Sequence, residues 1–557
     1  MRKILLLTVC ALAGLAAAHP MHSTFSQCTE PAMQTEATLI PDLGHLFHKV
    51  STQHPQAQAF FNQGLTLLFS YNFEDAVRSF RQAAKLDPQL AMAQWGIAMA
   101  SGANININID PACEEVAFQA ISEAQRLAGT YPTTAAEKAY INALAARYTG
   151  RPNPDLVRLA VDFKLAQQRL TERYPQDTDA RIVYVEGLMD LRPWMLWLNG
   201  KPNTETSTIL GNINTVLKQD PDHLGANHYN IHALEASDRP ELALNSALKL
   251  SRLVPNAGHM QHMPSHIFMR LGNYQMSRDA NLNAVQVDQS YYQKCFPVQQ
   301  QDCLPIYVGH YYSHNLMFLA ESYAFMGASK DALATARKTH DNALAFIVGQ
   351  PELEHYVGGL SLMQVGFQKW QDILAQPRPL ESLQAATALW HWSRSYALAA
   401  LGQLKEAESE QQQFFAVQQE IPYNLSYGNN TAQAILAVAS NLLRAKLAAA
   451  QGNMDAALEL LKLTVDSDDA LVYDEPPPWF FPARDALGAA YFQTRQYQAA
   501  VRVFKESLKK QPLSPRALYG LALSQKAVGD PEWEETMKKF QYASRDADVQ
   551  FSMSTLW

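Results

Sequence analysis

Residues 57–88 constrain the fold more than any other stretch. Phe60, Gly64, Leu67, Ala76, Phe80, Ala83 and Pro88 stand at the spacings of two antiparallel helices that cross closely. Gly64 and Ala76 are small where the helices approach, Phe80 fills the space between them, and Pro88 ends the second helix. A further helix begins near Leu90 and carries Trp95 and Gly96. The same phase returns near the C-terminal end as Leu487, Gly488, Tyr491, Ala500, Phe504, Pro512 and Gly520. One such hairpin cannot bury its own apolar face, so copies of it must stack.

Degenerate copies fill the interval. Helix–turn–helix units centre on Asp238-Arg239-Pro240, Gly272-Asn273, Gly327, Gly402 and Gly452-Asn453, each with alanine-rich helices on both sides. No alternating strand pattern competes, so the chain reads as all-α. It resembles the tetratricopeptide-repeat family over nearly all its mature length, most closely at 57–100 and 484–524, with a period of about 34 residues. More narrowly, it is similar to a group of large exported bacterial repeat proteins. That likeness rests on LRPWMLW (191–197), HYNIHALE (228–235), HMPSHIF (262–268), HNLMFLAESYAFMG (314–327) and EPPPWFFP (475–482). The resemblance implies a tetratricopeptide-type α-solenoid, a right-handed superhelix of helical hairpins whose concave groove takes a peptide or protein partner. It implies no particular activity.

At 557 residues the chain is too long for one ordinary core, as a repeat array requires. It divides into a signal peptide at 1–18, an extension at 19–55, a first array at 56–350 and a second at 351–557. The start MRKILLLTVCALAGLAAAHP has a basic end, an apolar run and Ala16-Ala17-Ala18, the pattern of a cleaved secretory signal. The expected location is therefore periplasmic or secreted. Formal charge is −8, and loss of Arg2 and Lys3 leaves 43 basic residues against 53 acidic. That balance argues against nucleic acid as a partner, and no later segment is apolar enough to span a membrane. Four cysteines remain after cleavage. Cys295 and Cys303 flank a short loop and can pair locally, and Cys28 with Cys113 would then tie the extension to the first repeats.

Histidine carries the chemistry. Eight of sixteen histidines fall between His223 and His314. His228/His232, His262/His266 and His310/His314 are each four residues apart, a spacing that sets both rings on one helix face. The repeat phase places His228 and His232 on the groove-facing stripe of one first helix, with Glu235 a turn further on. His262 and His266 take equivalent positions in the next, preceded by His259, and His314 reaches over from a third, with His310 one turn back. Imidazole suits zinc or copper, so His228, His232, Glu235, His262, His266, His310 and His314 form the expected metal-ligand set. Seven ligands exceed what one ion needs, so two ions, or one ion with outer histidines, are both open.

Pro264 falls between His262 and His266, so that pair is aimed by a turn rather than by continuous helix. His228-Tyr229 lacks the glutamate of a zinc-protease H-E-x-x-H, which removes that reading. Met260, Met263 and Met269 read as core filler, Glu475–Trp479 as a stiff connector, and His45, His48, His54, His340, His355 and His391 as ordinary. Two function classes stay open: a metalloprotein, as enzyme or metal carrier, and an envelope scaffold that binds a peptide or protein partner with any metal structural. The export reading has a direct check: mass spectrometry of the protein from its native host should find a chain beginning at or near His19, and non-reducing peptide mapping should find Cys295 joined to Cys303.

Overall fold

The computed structural model describes Cys28 and residues 35–106, 111–151, 153–198, 200–291 and 306–557. The expected cleavage site and the Cys295–Cys303 pair lie outside the described residues. Helical hairpins follow one another along the chain, and each packs on the next. Among the described residues the strands are two hairpins of minimal length, Trp197–Leu198 with Lys201–Pro202 and Ser426–Tyr427 with Asn430–Thr431. The fold is an all-α solenoid of tetratricopeptide type, as the sequence pattern requires. All five expected turns lie between paired helices. Gly272, Gly327, Gly402 and Gly452 adopt positive φ there, a conformation that costs other residues steric strain.

The first hairpin shows why the sequence folds this way. Pro55–Phe69 begins at His54, whose ring accepts from the Ala57 amide, and Pro55 takes the first helical position, where no amide hydrogen is needed. Phe73–Leu86 begins at Asn72, whose side chain accepts from the Asp75 amide, with Glu74 and Asp75 at its positive end and Lys85 at the other. Phe80 is fully buried between Gly64 and Gly96. A Cβ on Gly64 would come within 2.7 Å of the Phe80 ring, and one on Gly96 would come closer still. The last repeats repeat the device, with Phe504 held between Gly488 and Gly520.

The extension is part of the architecture. Gln63 donates to the Thr38 carbonyl and accepts from the Ile40 amide. Asn256 donates its side-chain amide to the Pro41 carbonyl, so residues 38–42 join the first hairpin to a repeat more than two hundred positions away. Cys28 and Cys113 form the expected disulfide. His48 Nδ1 lies 2.7 Å from Asp179, and His223 Nε2 reaches the other oxygen of that carboxylate at 3.2 Å. The later repeats return to the middle of the array: Tyr274 donates to the Pro512 carbonyl, and Asp548 accepts from the Ser329 and Lys330 amides. The described residues hold no helix long and apolar enough to cross a membrane.

The glycine–aromatic contact yields a stability prediction. Phe80→Ala removes a buried ring and should cost about 3–5 kcal/mol. Gly96→Leu should be comparably damaging because the ring cannot retreat. Chemical denaturation followed by circular dichroism reads both, and losses under about 1 kcal/mol would show that Phe80 is not the spacer.

Candidate metal centre

The helix Leu224–Leu234 is buried on every side, and His223 caps its start by accepting from the Ala226 amide. His228 and His232 lie one turn apart on it, ring centroids 4.8 Å apart. The next first helix is broken. Gly258–His262 ends at Met263, and Pro264 opens Pro264–Arg270 at its first position. Met263 keeps helical dihedrals across the break, so His262 and His266 stay one turn apart, with Nε2 atoms 2.9 Å apart. A π-helical turn, Tyr307–Tyr311, then feeds Tyr312–Met326, which carries His314.

These elements bring six imidazoles into two triads. His228, His232 and His259 place ligand nitrogens within 4.8 Å of one another, and His262, His266 and His314 do the same. The triads adjoin: His259 and His262 have ring centroids 5.8 Å apart, and His232 and His266 6.0 Å. Tyr71 packs on the first triad, 4.6 Å from His228 between ring centroids. Phe318 floors the second, 4.6–5.1 Å from all three rings.

The outer nitrogens decide what the triads can do. His228 Nδ1 lies 2.6 Å from the Phe69 carbonyl oxygen. His262 Nδ1 lies 2.6 Å from Asn281 Oδ1, and Asn281 donates its own amide to the Ser277 carbonyl, which fixes the oxygen toward the ring. His232 Nδ1 and His266 Nδ1 lie 2.8 Å and 2.5 Å from the two oxygens of Glu235. The partners of His228, His232 and His262 are hydrogen-bond acceptors, so each of these Nδ1 atoms bears the proton, while His266 Nδ1 faces Glu235 as an ion pair without hydrogen-bond alignment. A neutral ring then presents its Nε2 lone pair inward. His228 and His232 Nε2 are buried with no hydrogen-bond partner, as are both ring nitrogens of His259. Three rings held by Nδ1 with Nε2 turned inward is the arrangement that outer partners impose on metal-binding histidines.

Electrostatics agrees with the geometry. Burial pushes His228, His259, His262 and His314 well below the usual imidazole range, reinforced by the neighbouring rings. They stand neutral and ready to ligate. Burial would raise Glu235, but His266 and His232 hold it at about 2. Burial would likewise lower His266, and the Glu235 carboxylate overcomes that and raises it. His262 Nε2 and His266 Nε2, 2.9 Å apart, share a hydrogen bond in which one of the two rings is the donor.

The structure brings His228, His232, Glu235, His262, His266 and His314 together, with Glu235 behind the rings and each oxygen turned to a different triad. His310 belongs to neither triad. It stands a turn before His314, packs on Tyr311 and Tyr356, and interacts with His314 through charge alone. His259 completes the first triad and was counted in sequence only as preceding His262. Its signal is the three-residue spacing to His262. Tyr71 and Asn281 carried no such signal. The segment read as a connector also closes the site: Glu475 is buried and acts on His266, and Tyr473 lies under Arg270. Met260, Met263 and Met269 are buried filler, as expected.

Family models of the tetratricopeptide repeat match residues 57–90 and 481–524. No curated protein matches the chain. Among solved structures, the human IFIT1 dimer with m7Gppp-AAAA is similar at 11% identity, over 88% of this chain and 95% of that one, with a TM-score of 0.34. The APC/C hetero-tetramer Cut9-Hcn1 is similar at 10% identity, over 90% and 89%, with a TM-score of 0.28. Superpositions that loose carry no argument, and the fold rests on the repeats themselves.

The depressed imidazoles fix a pH response. Burial also holds His310 and His355 at about 4. An imidazole lowered by folding binds its proton first in the unfolded chain, so its stabilisation is full above about pH 6.5 and falls as pH drops through that value. Each contributes up to about 1.4 kcal/mol per pH unit. Buried carboxyls raised by folding, Asp288 and Glu475 among them, act with the opposite sign over the same range, so the rings are read one by one: imidazole NMR of metal-free protein should find His310 and His355 still neutral at about pH 5.5, and rings already protonated there would mean that they are not buried neutral.

Proposed function

We propose that this tetratricopeptide-repeat protein is an exported metalloprotein that holds zinc or copper on the histidines of its first array. Repeat scaffolds of this kind present a concave surface to protein or peptide partners. The metal would sit within that scaffold, on His228, His232 and His259 and on His262, His266 and His314. The carrying observation is the convergence of two triads of ligand nitrogens, with the Nδ1 atoms of His228, His232 and His262 set on acceptors outside the rings. Three imidazoles leave a zinc or copper ion with an open position, which favours an ion that meets a ligand over one that only braces the fold. Glu235 orients His232 and His266 and offsets part of the cation's charge. The disulfide of Cys28 with Cys113 fits an oxidising destination.

Metal analysis of protein purified without an affinity tag should find zinc or copper bound, with zinc–nitrogen distances of about 2.0–2.1 Å by X-ray absorption. The double variant His232→Ala, His266→Ala takes one ring from each triad and should lose most of that metal. Glu235→Gln should retain the ligands yet weaken binding about 10- to 100-fold. A double variant with full metal content would sink the reading.

A further inference from the structure

We propose that the two triads act as one dinuclear centre, whose two ions share a small anionic ligand. The inference rests on the metal reading above and goes further, to the number of ions, their coupling and the class of ligand.

Two observations favour a pair over one ion with spare histidines. Each triad is a complete set of three imidazoles within 4.8 Å, so neither needs to borrow from the other. The sets also share their support. One carboxylate, 1% exposed, turns one oxygen to His232 in the first triad and the other to His266 in the second. A change at either triad is therefore felt by the other through a single rigid group. His259 adds a second link. Its ring faces His228 at 5.2 Å on one side and His262 at 5.8 Å on the other.

Charge names the ligand. Six neutral imidazoles bring none, Glu235 brings one negative charge, and Glu475 beside His266 can bring a second, still short of the four positive charges of two divalent ions. Two divalent ions would leave the pocket strongly positive, and a buried, uncompensated charge of that size is costly. Each ion also keeps an open position, because three nitrogens do not fill its coordination. A small anion that spans both ions meets both demands, and paired metal sites commonly hold such a ligand. A cleft lined by Ile105, Met189, Arg192 and Trp194 reaches His232 and Glu235 at the edge of the first triad, where a small ligand could enter.

The test uses full-length protein, loaded with copper(II) after removal of its native metal, and azide as the anion. Two coppers per chain are expected, with an electron paramagnetic resonance signal well below that of two isolated ions. Azide should bind at one per copper pair, with a new charge-transfer absorption. His259→Ala and His314→Ala, one from each triad, should each leave one copper with a full single-ion signal. Circular dichroism at pH 7.5 checks that both variants fold, and the wild-type stoichiometry and signal stand even if one does not. Two coppers with the full signal of independent ions would overturn the coupling. One copper per chain would overturn the pair and leave the metal reading intact. No copper, and no zinc either, would overturn both.

Discussion

The repeats depend on a phenyl ring lying on bare backbone. Phe80 sits between Gly64 and Gly96, and Phe504 between Gly488 and Gly520, with no room for a Cβ on either side. A repeat built this way has one permitted crossing distance and register, because the ring can be neither compressed nor replaced by a larger spacer. Stacking then propagates that register along the array. The centre depends on it. His228 and His232 come from one first helix, His259, His262 and His266 from the next, and His314 from a third, so slippage of any hairpin would part the triads.

Within that frame, the outer nitrogens do the positioning. A histidine in a core can satisfy itself by turning either nitrogen to any acceptor. Here the acceptors stand outside the rings: a carbonyl of the first hairpin, an amide oxygen of the following helix, and the two oxygens of Glu235. The Phe69 carbonyl belongs to the end of a helix, where carbonyls lack partners in the helix itself. His228 thus satisfies an orphan of the first hairpin and has its own tautomer fixed in return. Glu235 is the one strong charge in the arrangement. It survives burial because two imidazoles face it.

The sequence made the scaffold legible and the centre partly so. Glycine and aromatic spacing marked the hairpins, since close crossing leaves few residue types to choose from. Histidine spacing of four marked His228/His232, on an unbroken helix, and misjudged nothing there. His262 and His266 span a break. Pro264 interrupts the hydrogen-bond ladder between them, yet Met263 keeps helical dihedrals and the rings stand 4.8 Å apart, as in His228/His232, so helical spacing holds there too. His259 was under-weighted because a three-residue spacing within a short, broken helix has no regular face to belong to. Tyr71 and Asn281 lie far from the histidine stretch or on a second helix, and their contacts exist only once hairpins stack. Glu475 was illegible for the same reason: more than two hundred residues separate it from His266.

Buried carboxyls surround the centre, and their placement bears on how it could take up a cation. Burial raises Glu186, which accepts from the Tyr229 hydroxyl, and lifts Asp288, which accepts from Tyr307, to about 7. It raises Asp474 and Glu475 to about 7 as well, and it raises Glu321, with both oxygens buried and without a hydrogen-bond partner, well above the usual carboxylate range. Glu186 binds Tyr229 beside His228, Asp288 reaches the His259 amide through Tyr307, and Glu475 acts on His266. A carboxyl held protonated by burial adds no negative charge until a cation approaches and makes ionisation favourable. Fixed carboxylates at these positions would repel one another and burden the empty pocket. Neutral carboxyls avoid that burden, and still let the protein match its charge to an incoming ion by releasing protons. The histidines fix where a cation would bind, and the surrounding acids fix how much of its charge the protein itself can answer.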